Sequence, residues 1–60
     1  MDYLEEFRQL VRQNVHSRMV MEDLYRNTDD HEMLRILDEE FLREYPKTYV
    51  DNFKEEVLRE

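Results

Sequence analysis

The sequence has 60 residues, 42% of them charged, with a formal net charge of −7 and neither cysteine nor glycine. A chain this short forms one domain with a marginal core, and without cysteine it has no disulfide or thiolate metal site to support that core. The negative charge also disfavours direct binding to nucleic-acid phosphates. We therefore expect a single helical domain over residues 1–60 that gains stability from another chain.

The first predicted element is a helix over residues 2–27, because apolar residues recur there at intervals of three and four. Asn14, His16 and Ser17 are weak helix formers close together, so the segment is either one helix or two shorter helices that meet there. We expect one helix with a kink near residues 14–17. The positions of its seam, spaced alternately by four and three residues, are Tyr3, Phe7, Leu10, Asn14, Ser17, Met21 and Leu24.

A second helix is predicted over residues 30–45. Asp29 followed by Glu32 resembles a capping box, which marks the start of a helix. Pro46 ends the helix, because its ring clashes with a preceding helical turn and biases Tyr45 towards an extended conformation. The apolar stripe of this helix is Leu34, Leu37, Phe41 and Tyr45, and the acids at 38–40 fall mostly on the opposite side.

A third helix is predicted over residues 48–59, where Thr48 and Asp51 have the spacing of another capping box. Its stripe is Tyr49, Val50, Phe53 and Val57. The three segments together predict an all-α fold, a small bundle of three helices. We expect its core to contain Phe7, Leu37, Phe41 and Phe53.

The segment "HEMLR" at residues 31–35 stops one residue short of the zinc-binding pattern HExxH. Arg35 stands where the second histidine would be, and arginine does not bind zinc, which needs three or four converging ligands. His31 is therefore interpreted as an exposed residue of a helix start, and no metal or cofactor is expected.

Catalytic chemistry has little support in the sequence. His16 and Ser17 are adjacent, and adjacent residues of a helix do not face each other. Paired glutamates need a cleft that raises a pKa before one can act as a general acid, and a phosphate-binding loop needs glycine. We expect a non-enzymatic protein.

Location is predicted from what the sequence lacks. The N-terminal residues show no basic stretch leading into an apolar one, so no signal peptide is expected. No apolar run approaches the roughly 20 residues that cross a bilayer. We expect a cytoplasmic protein with no membrane contact.

The favoured function is regulation through protein–protein contact, with the chain self-associating as a homo-oligomer. Aromatic residues and methionine are abundant, and such residues are enriched where proteins meet. Residues 1–27 carry four arginines and five acids, a balance of −1, so two copies of this segment repel each other little. The predicted interface residues are Tyr3, Phe7, Leu10, Asn14, Met21 and Leu24.

The alternative function is that of an acidic nucleic-acid mimic, a class of inhibitor that phages and other mobile elements make. Residues 28–60 carry five basic and eleven acidic side chains, a balance of −6. Its partner would be a nucleic-acid-binding protein with a basic surface, and complementary charge would speed the encounter. The predicted acidic surface consists of Asp38, Glu39, Glu40 and Glu44.

Overall fold

The computed structural model describes residues 2–59, and within that range it has four α-helices and no strand. They are α1 (Tyr3–Asn14), α2 (Arg18–Asn27), α3 (His31–Glu44) and α4 (Lys47–Val57). The all-α class is confirmed, but the number of helices predicted was wrong, because the first predicted helix is α1 and α2. Met1 and Glu60, the ends of the predicted domain, lie outside the described residues.

Local hydrogen bonds explain the break between α1 and α2. The Asn14 side-chain amide donates to the Leu10 carbonyl at 2.8 Å, and the Ser17 N–H donates to the Asn14 carbonyl at 2.9 Å. Ser17 is extended (φ −93°, ψ 110°), and its hydroxyl accepts from the Val20 N–H at 3.3 Å. Short polar side chains that bond the nearby backbone compete with helical hydrogen bonds. This competition ends α1 although the apolar pattern continues.

The start of α3 is set by Asp30 and not by Asp29. One carboxylate oxygen of Asp30 accepts from the N–H groups of Glu32 and Met33, at 2.9 and 3.1 Å. This is the geometry of an N-cap, which satisfies backbone donors that have no partner inside the helix. The predicted capping box at Asp29 and Glu32 was therefore placed one residue too early.

Pro46 both separates α3 from α4 and starts α4. Tyr45 is extended (φ −135°, ψ 148°), as a residue before proline prefers, and Pro46 is the N-cap with no side-chain cap bond. The capping box predicted at Thr48 and Asp51 does not form, because the helix has begun at Lys47. Asp51 instead accepts a hydrogen bond from the Lys47 ammonium at 2.7 Å.

The core is built from all four helices and is rich in aromatic contacts. The Phe41 and Phe53 rings meet edge to face at 5.0 Å between centroids, and Tyr25 lies 5.9 Å from Phe53. Aromatic pairs favour such tilted geometries. All four residues predicted for the core are buried. The buried apolar residues are Phe7, Val11, Val15, Met21, Tyr25, Ile36, Leu37, Phe41, Val50, Phe53 and Val57.

The helices are arranged so that α1 lies against α3. Side-chain bonds join Arg12 to Glu40 and His16 to Tyr45, so both helices advance in the same direction. α4 runs back along α3, because Tyr45 stacks on Tyr49 at the turn while Lys54 reaches Asp38 farther from it. No Cα atom of α1 lies within 8 Å of one in α4. One flank of α1 is therefore left without a neighbouring helix. Across residues 2–59, every helix is too short or too polar to span a bilayer.

Candidate interaction surface

The structure divides the predicted interface residues into three groups by burial. Phe7 and Met21 are buried in the chain's own core, so in this closed chain neither side chain is exposed to a second one. The physical reason is that this part of the seam packs inside the chain's own four-helix core. Asn14 and Leu24 are partly buried, and Leu24 packs against the core cluster. Only Tyr3 and Leu10 remain well exposed among the six.

Tyr3 and Leu10 form an exposed edge of α1, which we call the α1 edge. Tyr3 is 60% exposed and Leu10 is 45% exposed. At 3.6 residues per turn, residues seven apart lie about 20° apart around the helix, so both are on one face. Arg12 lies about 180° from Tyr3 by the same geometry, and Arg12 binds α3. The α1 edge is therefore directed away from the α3 contact that Arg12 makes.

Glu40 is not on the surface, which corrects its assignment to the acidic patch. Its side chain is 2% exposed and lies between α3 and α1. The Arg12 Nε and Nη2 atoms donate to its two oxygens at 2.9 and 3.0 Å, and Arg8 Nη1 donates at 2.6 Å. Arg43 Nη1 lies 3.6 Å away. Burying a carboxylate is unfavourable unless it is paired and hydrogen-bonded, and Glu40 meets both conditions.

The arginines hold the pKa of Glu40 well below its usual range. The hydrogen bonds from Arg12 are the largest cause, burial opposes them, and the bond from Arg8 adds to the lowering, so that the pKa is about 2. The glutamate is therefore charged at any ordinary pH. It acts as an ionic link between α1 and α3, with no sign of the raised pKa that a general acid needs.

The other three predicted surface acids are also engaged within the chain. Asp38 accepts from the Tyr25 hydroxyl at 2.7 Å and from the Lys54 ammonium at 3.0 Å. Burial and the bond to Asp38 raise the pKa of Tyr25, so its hydroxyl stays protonated as the donor. Glu39 and Glu44 lie near basic partners too: Arg8 is 2.8 Å from Glu39, and His16 is 3.4 Å from Glu44.

An aromatic row at the surface was missed by the sequence reasoning. Tyr45 and Tyr49 stack with their ring centroids 4.6 Å apart, and the Tyr45 hydroxyl lies 2.9 Å from His16 Nδ1. The row joins the α1–α2 turn to the α3–α4 turn. The spacing of Tyr45 and Tyr49 gave a weak signal, but the contact with His16 spans 29 residues and has no local signature.

The residues of the HEMLR segment take ordinary helical roles. His31 is the first residue of α3 and is exposed, while Arg35 donates to Glu32 at 2.9 Å. Among residues 2–59 there is no group of three or more His, Cys, Asp or Glu side chains placed to hold a metal ion.

Comparison with known proteins gives no relative for this chain. It matches no protein family model, and no curated protein or solved structure is significantly similar to it. Its function has to be argued from its own surface.

Proposed function

We propose that the chain is a small non-enzymatic protein that acts by protein–protein contact and self-associates through the α1 edge. The observation that carries this proposal is the exposure of Tyr3 and Leu10 on one face of a helix whose Cα atoms all lie more than 8 Å from those of α4. Apolar side chains gain free energy when a second surface removes them from water.

The surroundings of the α1 edge suit a contact between identical surfaces. Tyrosine and leucine supply apolar area, while the arginines of α1 at positions 8 and 12 are already bound to α3. Glu6 is the one acid that lies beside Tyr3 and Leu10 by helical geometry, about 60° from Tyr3. A symmetric dimer would therefore bring few like charges together there.

The test compares two leucines of equal exposure. Leu10 on α1 and Leu42 on α3 are both 45% exposed, so Leu42→Ser is a matched control for Leu10→Ser. A symmetric dimer loses each contact twice, and we expect Leu10→Ser to weaken self-association by about tenfold or more, with little effect from Leu42→Ser. Sedimentation velocity over a concentration series measures this. The concentration series rises in 100-fold steps to about millimolar, where even weak complexes form. A wild-type chain that is monomeric throughout this series would overturn the proposal.

The alternative of a nucleic-acid mimic is less well supported. A mimic must present a row of unpaired negative charges, whereas Glu40 is buried, and Asp38 and Glu39 are paired with Lys54 and Arg8. The basic groove of a partner would have to compete with these pairs. Two of the arginines that pair with acids of α3, Arg8 and Arg12, lie on α1, in the half of the sequence whose own charge balance is −1.

A further inference from the structure

Residues 15–17 form a turn, although the apolar spacing that predicts a helix continues through them. Val15 already has helical dihedrals (φ −61°, ψ −25°), and no described residue has a positive φ. Ser17 is extended, with ψ 110°. The turn holds neither glycine nor proline. A change confined to this short turn would therefore make α1 and α2 one continuous helix.

α1 is held to the rest of the chain by an interface that an identical helix can reproduce. It is the first helix and joins α2 through the turn alone, and it packs mainly on α3. Phe7 and Val11 fill the core on that side, and the Arg8 and Arg12 pairs with Glu40 fix the register. If α1 leaves, the surface it uncovers on α3 is specific for the α1 of a second copy.

We infer that the chain exchanges α1 between two copies. Residues 15–17 become helical, α1 and α2 merge into one helix from Tyr3 to Asn27, and each α1 packs on the α3 of the other copy. This inference rests on the proposed self-association and adds to it a contact made by the core-facing side of α1, beside the one at the α1 edge. The helix expected from the apolar pattern alone is then the exchanged form, and the four-helix chain is the closed form.

The two forms differ by few interactions, because the contacts of α1 with α3 are the same within one chain and between two. Opening the turn removes the Ser17 cap on Val20, the contacts of His16 with Tyr45 and Glu44, and the burial that Val15 has in the closed form. In return, the turn residues gain helical hydrogen bonds. Exchange of an identical element therefore forms a dimer with a small change in free energy. The concentration of the chain decides which form dominates.

Position 18 offers a substitution that separates the two forms. Proline is accepted at the first position of α2, and Ser17 already has the extended conformation that proline requires of its predecessor. In the interior of a continuous helix the same proline is strongly unfavourable. Arg18→Pro should therefore weaken dimerisation by about 100-fold or more. Arg18→Ala is the control, since it removes the same contacts to Glu22 and Glu56.

Ser17→Ala should act in the opposite direction. It removes the cap that exists only in the closed form, and alanine favours the continuous helix. We expect dimerisation to strengthen by about fivefold or more, because an exchanged dimer opens two caps and the loss of each shifts the equilibrium by about twofold to thirtyfold. Sedimentation velocity on the wild type and on the Ser17 and Arg18 variants gives all of these values.

A mixing experiment detects the exchange directly. Arg12→Glu and Glu40→Arg each break the link between α1 and α3 within one chain, but α1 of the first variant is complementary to α3 of the second. An exchanged heterodimer restores one reversed pair and one native pair. The 1:1 mixture should therefore melt at a higher temperature than either variant alone. Two separate parental transitions would overturn the exchange. If Glu40→Arg does not fold, the series at positions 17 and 18 decides.

The outcomes separate this inference from the proposal beneath it. A dimer that is lost in Leu10→Ser but keeps its affinity in Arg18→Pro overturns the exchange and supports association through the α1 edge alone. A dimer lost in Arg18→Pro and kept in Arg18→Ala supports the exchange. A wild type and a Ser17→Ala variant that are both monomeric overturn both.

Discussion

Glu40 is the residue whose environment departs furthest from what its sequence position suggests. It stands in the acidic run at 38–40, yet its side chain is 2% exposed and receives hydrogen bonds from Arg8 and Arg12. A buried ion pair adds little net stability compared with an apolar pair, but removing one partner leaves the other charges without compensation. A neutral substitution of Glu40 is therefore expected to lower the stability of the fold.

We predict that Glu40→Gln lowers the free energy of unfolding by about 1–3 kcal/mol, the usual range for a hydrogen bond to a charged group. The amide keeps the shape of the side chain but has no charge to hold both arginines. Urea denaturation monitored by circular dichroism measures the change. Glu39→Gln is the control, because Glu39 is exposed and exposed pairs contribute about 0–1 kcal/mol. Equal losses in both variants would contradict the assignment.

The pH dependence of the same variant gives a second measure of this prediction. The pKa of Glu40 is lowered from its ordinary 4.5 to about 2, so the folded state binds this proton less readily than the unfolded state. Its stabilisation is present above pH 4.5 and is lost as the pH falls towards 2. The stability difference between wild type and Glu40→Gln should therefore be constant from about pH 5 to 7, where Glu40 is charged in both the folded and the unfolded state. It should shrink at lower pH. A difference that grew on acidification would contradict it.

At the scale of single helices, caps explain where the structure departs from the apolar pattern. Ser17 starts α2 and Asp30 starts α3, each through a side-chain oxygen that accepts from the backbone. The sequence indicated a helix start through the spacing of Asp29 and Glu32, but Asp29 and Asp30 are adjacent aspartates and left the register of the cap ambiguous. Near residues 14–17 the apolar repeat and the capping residues indicated opposite outcomes, and the local hydrogen bonds prevailed.

Asp29 and Asp30 provide a direct test of the cap assignment. We predict that Asp30→Ala destabilises the fold by about 1 kcal/mol, because the N–H groups of Glu32 and Met33 lose their acceptor. Asp29→Ala should change stability by less than about 0.5 kcal/mol, as is usual for an exposed residue away from such a feature. Thermal melts of the two variants give the comparison. A larger loss of stability for Asp29→Ala than for Asp30→Ala would show that Asp29 is the N-cap, as the predicted capping box implied.

At the scale of the whole molecule, arginines of the first half of the sequence pair with acids of the second half. Residues 1–27 and 28–60 carry balances of −1 and −6, which suggested a neutral assembling half and an acidic displayed half. In the fold, Arg8 and Arg12 of the first half bind Glu39 and Glu40 of the second. These partners are 28 to 32 residues apart, so only the parallel packing of α1 on α3 brings them together.

The difference between local sequence pattern and packing between distant helices explains which parts of the molecule could be predicted. The helical class and the core phenylalanines follow from local periodicity, while the buried Tyr25 was not predicted. Tyr3 and Leu10 were found as members of an apolar seam. Phe7 and Met21 belong to the same seam and could not be distinguished from them, because burial within a chain and burial between chains leave the same pattern. Only the position of α3 relative to α1 decides between the two.

The net charge of −7 leads to a prediction about salt. Glu6, Asp23 and Glu55 have no ion-pair partner within residues 2–59, and their repulsion is screened over about 8 Å at physiological ionic strength. The buried Glu40 pairs are screened much less, so added salt should remove more repulsion than attraction. We expect the melting temperature to rise by about 2–5 °C between 20 and 200 mM sodium chloride, equivalent to less than about 1 kcal/mol for a domain of this size.

Glu6→Gln with Glu55→Gln changes the net charge from −7 to −5, since two negative charges are removed, and should reduce the rise. A melting temperature that fell with salt would show that exposed pairs such as Lys47–Asp51 outweigh the repulsion.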